Sequence, residues 1–207
     1  MRSENVVKVY SPKENETVNL PQLATQHYNS ILVDKENVII EGVNETVVSC
    51  NIAIKDGIKS NITLRNISIT TEKEGPLIDI GHGSDVTLNI EGANEIVNRG
   101  IRVPNGSSLY LTGKGALKIH SEMQNSYAIG GDNESSYGNI TIEYLAQLML
   151  DITGENCVGI GGGKRASDSK ISLMRTGINL VCAGGNSVGI GSFSGNSNIE
   201  MRNCDLE

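Results

Sequence analysis

Three segments of the chain, Tyr127-Ala128-Ile129-Gly130-Gly131, Val158-Gly159-Ile160-Gly161-Gly162 and Val188-Gly189-Ile190-Gly191-Ser192, are one segment written three times. Their anchors Ile129, Ile160 and Ile190 recur at intervals of 31 and 30 residues. Each is followed by a second short run: Asn139-Ile-Thr-Ile142, Lys170-Ile-Ser-Leu173 and Asn198-Ile-Glu-Met201. A unit repeated at a fixed spacing of about 20–50 residues buries its apolar face only against its neighbours, so the chain must stack. Apolar residues alternate with a period of two, so the stacked elements are strands and not helical hairpins.

Weaker copies run back toward the N-terminus. First strands read at Asn51–Ile54, Leu77–Ile80 and Ile101–Val103, second strands at Asn61–Leu64, Val86–Leu88 and Leu109–Leu111. Third strands read at Ile67–Ile69, Leu117–Ile119, Leu148–Leu150 and Ile178–Leu180, and an earlier turn fits Ile31–Val33, Val38–Ile40 and Thr46–Val48. Three strands per turn define an all-β chain: a right-handed single-stranded parallel β-helix, a pectate-lyase-like solenoid of about seven coils, its hand set by the crossover rule. Twenty-four glycines punctuate short β-branched runs, as such turns require. Residues 1–28, with one short helix over Leu20–Ala24, are expected to cap the open end of a helix spanning 29–205. The terminal Leu206-Glu207 matches an expression-vector remnant, and the abrupt stop after a second strand reads as a domain cut from a longer protein. The residues contain no signal peptide, so the compartment stays open; an extracellular or cell-surface place suits a fragment. No apolar run approaches the roughly 18 residues of a membrane span.

A net charge of −7 argues against a nucleic-acid groove, which needs clustered Lys and Arg. Cys50, Cys157, Cys182 and Cys204 lack the spacing of a zinc site and read as free thiols, with Cys157 and Cys182 suited to a packed interior. Seven Asn-x-Ser/Thr triplets, from Asn15 to Asn139, are what strands and turns of this kind use anyway.

Alternation gives each side chain a direction. On the first sheet it sets Ile54, Ile80, Val103, Ile129, Ile160 and Ile190 inward, and Ala53, Asp79, Arg102, Ala128, Gly159 and Gly189 outward. Asp79 then neighbours Arg102, either as a surface ion pair or as a grip for a sugar acid. On the second sheet Thr63, Thr87, Tyr110, Thr141, Ser172 and Glu200 form a hydroxyl-rich outer row. Gly130-Gly131, Gly161-Gly162-Gly163 and Gly191 form a bare ridge, without the lysine-serine pair and helix of a phosphate loop. The loops after it, Asp132–Tyr137 and Lys164–Asp168, project on one side, where solenoids tend to bind. Asp132 and Glu134 offer oxygens to a calcium ion, but no calcium-loop pattern surrounds them, so no cofactor is expected. The candidate ligand-binding set is therefore Asp79, His82, Arg102, Asp132 and Tyr137.

The Gly-Ile-Gly-Gly-Gly repeat, with its Gly- or Ser-rich loop and Ile-x-Ile strand, resembles the β-helical repeats in large proteins of Gram-positive anaerobes. That resemblance covers about residues 127–203 and implies a non-catalytic, polysaccharide-binding module of a larger secreted or cell-surface bacterial protein. Gly81-His82-Gly83 and Cys50–Ile54 also resemble motifs of the polygalacturonase-type glycosidases. Hydrolysis needs two carboxyls flanking the glycosidic bond, yet Ser49 and Cys50 stand before that strand. Two alternatives to binding remain: a structural or protein-interaction spacer, and a lyase or hydrolase acting on acidic glycans. The unfinished last coil, with Ile199 and Met201 facing a core that has nothing above it, is expected to self-associate end-on.

Overall fold

The computed structural model describes residues 7–71, 74–132, 134–163 and 169–207. Within them the chain is a parallel β-solenoid with almost no helix, as its alternation predicts. The first sheet stacks Val9–Tyr10, Ser30–Val33, Asn51–Ile54, Ile78–Asp79, Ile101–Arg102, Tyr127–Gly130, Val158–Gly162 and Val188–Ser192. About six turns carry the chain from Ser30–Val33 to Val188–Ser192, slightly fewer than the expected seven coils. The second and third faces join into one 13-stranded sheet. They join because Ser108–Ser121 and Asn139–Thr153 run through the corner between them as single long strands. A register shift around Gly113 bends the first of these against its neighbour.

The coil corners are fixed by particular residues. At the bend between second and third strands the chain enters the left-handed region at Asn66 (φ 52), Tyr144 (φ 56), Arg175 (φ 49) and Asn203 (φ 52). Where the chain passes from the first sheet to the second, buried serines hold one turn to the next. Ser84 Oγ donates to the Lys55 carbonyl and Ser107 Oγ to the Gly81 carbonyl, each at 2.9 Å. Ser169 Oγ donates to the Tyr137 carbonyl at 2.5 Å. Those three bonds position the loops that edge the candidate site. At the N-terminal end the short helix Leu20–Thr25 forms where the sequence places it. Asn19 caps it by accepting from Gln22 N, and Leu20 and Leu23 are buried.

One continuous core fills the coil. Its main ladder is Ile31, Ile52, Ile78, Ile101, Ile129, Ile160 and Ile190. β-Branched side chains suit such a sheet because each packs flat on the same residue one coil away. The expected ladder is therefore corrected by two residues: Ile129 stands beside Ile101 and not Val103, while Ile54 and Ile80 sit two residues farther along their strands. Ile190 is also only partly buried, since no coil covers it. The outward row shifts equally, so that Leu32, Ala53, Asp79, Arg102, Gly130, Gly161 and Gly191 follow one another. Ala128, expected outside, is fully buried. On the second sheet Asn61, not Thr63, adjoins Thr87, and Ser172 is buried despite its place in the outer row.

Candidate functional site

The first sheet's outer face carries the most varied polar chemistry, and its geometry follows from the corrected register. Asp79 and Arg102 lie directly across from each other in neighbouring strands. The guanidinium forks onto the carboxylate, with Nε to Oδ1 at 2.6 Å and Nη2 to Oδ2 at 2.7 Å. That bond, more than anything else, raises the Arg102 pKa further above its ordinary value. Both groups are partly exposed, so the pair contributes about 1 kcal/mol at most to stability. Next to it the Tyr127 hydroxyl is pushed well above its usual pKa by burial, and the nearby Asp132 and Asp79 carboxylates act in the same direction.

Over this face lies an open groove of about 920 Å³. One wall is made by Asn125, Asn156 and Asn186, each in the turn that leads into a first-sheet strand. All three adopt the left-handed conformation (φ 56, 56 and 54), which asparagine tolerates better than most residues. The three positions stack as a ladder, one per coil along the solenoid axis, and Asn156 Nδ2 donates to Asn125 Oδ1 at 3.1 Å. Arg99, Glu74 and Phe193 line the groove too, and Asp132 and Glu134 rise from the loop on its opposite side. Arg99 Nε is buried and has no hydrogen-bond partner among the described residues. Two smaller depressions continue the groove; Arg102, Tyr127 and Asp132 line both, and His82 edges the outer one.

Four of the five expected residues thus gather. His82 is exposed, with its backbone N–H donating to Asp56 Oδ1 at 2.8 Å, so its ring stands at the rim. Asp132 is engaged by its own loop: Oδ1 accepts from the backbone N–H of Glu134 and Ser135 and from the Ser135 hydroxyl. Among the described residues no group of three or more His, Cys, Asp or Glu side chains is placed to hold a metal ion.

Tyr137 is a correction. It is fully buried in the core, its hydroxyl donating to Ser197 Oγ at 3.3 Å, and it cannot meet a ligand. Its ring also explains one glycine, because a Cβ on Gly162 would stand 2.6 Å from Tyr137 Cδ1. The glycine ridge is accordingly packed against its neighbours instead of bare. The loop expected at Lys164–Asp168 lies outside the described residues, as does the triplet at Asn133.

Arg99, Tyr127 and the asparagine ladder were not among the expected site residues. The ladder did leave a signal, since Asn125, Asn156 and Asn186 recur at the same intervals as the isoleucine anchors. Tyr127 stands where the later repeats have Val158 and Val188, a departure visible in the sequence. Arg99 left none. No protein-family model, curated protein or solved structure matches this chain. No helix among the described residues is long and apolar enough to cross a membrane.

Proposed function

We propose that this chain is a non-catalytic carbohydrate-binding module that holds a polysaccharide along the outer face of its first sheet. The observation that carries the reading is the asparagine ladder bordering a long polar groove. Each amide both donates and accepts, as sugar hydroxyls do, and the ladder repeats once per coil, at about 4.8 Å along the axis. A linear polymer lying along the solenoid would meet the same chemistry at each coil. An enclosed apolar pocket suits a small molecule better; this groove is open and polar. Arg99, which lines the groove, adds a planar charged donor group suited to ligand oxygens. Two carboxylates of this face are already engaged, Asp79 by Arg102 and Asp132 by its own loop, which supports binding over hydrolysis.

The test is affinity electrophoresis of the purified protein through gels containing soluble polysaccharides, with pull-down on insoluble ones. Retention by at least one polymer is expected. Asn156→Ala and Arg99→Ala should each weaken it about 2–10-fold, the worth of one net hydrogen bond. No retention on a broad panel, or retention untouched by both substitutions in folded protein, would remove the reading and favour the spacer alternative.

A further inference from the structure

The charge of the groove bears on which polysaccharide it can hold. Among the described residues that line it, Glu74, Asp132 and Glu134 stand against one guanidinium, that of Arg99. Counting Lys164, Arg165 and Asp168 as well, which lie outside the described residues, still leaves the sum negative, and the whole chain carries −7. The depressions that continue the groove add Arg102, but its Nε and Nη2 are both committed to Asp79.

A sugar acid is best held by a guanidinium that forks two adjacent N–H groups onto its carboxylate. Arg102 makes that fork with Asp79 already. A sugar acid that took it would have to displace Asp79 and leave a second carboxylate beside itself. Arg99 Nε is buried, which closes the side-on edge of that guanidinium to a ligand. Sugar hydroxyls face no such conflict. They donate to carboxylates and accept from amides, so an uncharged chain finds partners in Glu74 and Glu134 as well as in the asparagine ladder. A carboxylate can only accept, and it meets acceptors of its own sign. Resting on the polysaccharide reading of the groove, we infer that it accepts uncharged glycan chains and rejects chains that carry carboxylates. Asp79 and Arg102 then serve each other, not a sugar acid.

Biolayer interferometry of the full chain over immobilised polymers tests this with matched pairs. Hydroxyethyl cellulose, arabinoxylan and galactomannan are each set beside their carboxymethylated forms, and methyl-esterified galacturonan beside its free acid. In every pair that binds, the carboxylated member should bind about tenfold or more weakly, between the bulk-water and protein-surface strengths of one like-charge contact at about 4 Å. The gap should close as salt rises from about 0.01 M to about 1 M, because the Debye length falls from about 30 Å to about 3 Å; a difference of shape would persist. Glu74→Gln combined with Glu134→Gln should narrow the low-salt gap by about threefold or more, with the circular dichroism of the folded chain retained. Carboxylated members that bind as tightly as their counterparts overturn the inference and leave the polysaccharide reading standing. So does a gap indifferent to salt, or one indifferent to the double substitution in folded protein. Binding to no polymer of the panel removes both.

Discussion

Replacing Gly161 by alanine separates two explanations for the glycine repeat. Gly161 has φ +133, and a Cβ there would stand 1.9 Å from the Gly191 carbonyl oxygen. Its neighbour Gly130 meets the same obstacle, 1.9 Å from the Gly161 oxygen, so each glycine lets the next coil close on it. The backbone conformation alone costs an L-residue about 1–3 kcal/mol. Forcing backbone atoms of the adjacent coil aside adds about 1–3 kcal/mol more. Gly161→Ala should therefore cost about 2–6 kcal/mol, a large part of the roughly 5–15 kcal/mol that holds such a domain folded. Two controls divide the sum. Gly106 has φ +81 but open space around its Cβ, so Gly106→Ala carries the conformational cost alone, about 1–2 kcal/mol. Gly185 has neither obstacle and should change by no more than about 0.5 kcal/mol. Urea denaturation followed by far-ultraviolet circular dichroism gives all three values, with unchanged slopes confirming comparable unfolding. If Gly161→Ala cost no more than Gly106→Ala, close stacking would not be what keeps the glycines, and a ligand resting on them would need consideration.

The other expectations are smaller in scope. Ile160→Ala, at a fully buried ladder position, should cost about 2–5 kcal/mol in the same denaturation assay, and the half-exposed Ile199→Ala clearly less. Tyr137→Phe should cost about 1 kcal/mol or less and leave polysaccharide retention unchanged, since only the bond to Ser197 is lost; reduced retention would return Tyr137 to the site. The Glu16 carboxyl is held below its usual pKa, first by the Lys13 backbone N–H at 2.7 Å and next by the Tyr10 hydroxyl at 2.5 Å. A depressed folded-state pKa means that this contribution is complete above the ordinary glutamate range and disappears as pH falls through the folded value. Amide exchange around Val9–Tyr10 and Glu16–Asn19 should then quicken on acidification below that range, relative to the core strands, and Glu16→Gln should flatten the dependence.

What the sequence revealed and what it hid follow from the same property of a strand. Alternation decides the face, so Ile129, Ile160 and Arg102 could be assigned inward or outward without coordinates. Alternation is blind to a slip of two. Ile101 and Val103 are both apolar and both inward, and nothing local says which one Ile129 will cover, because the intervening corners differ in length. The same ambiguity placed Thr63 beside Thr87 where Asn61 belongs. A core tolerates this, since any row of apolar side chains packs. A site does not, because it depends on which polar groups become neighbours across coils. Arg99, Tyr127 and Asp132 meet only once turns of unequal length have been closed. Tyr137 failed for a different reason: its polar neighbours mark the loop as exposed, while the glycine that admits its ring, Gly162, lies 25 residues later in the next coil. Only the asparagine ladder escapes both difficulties. Its members share the repeat's own spacing, so their stacking follows from the same alignment that stacks the isoleucines, and the wall of the groove was as legible as the core beneath it.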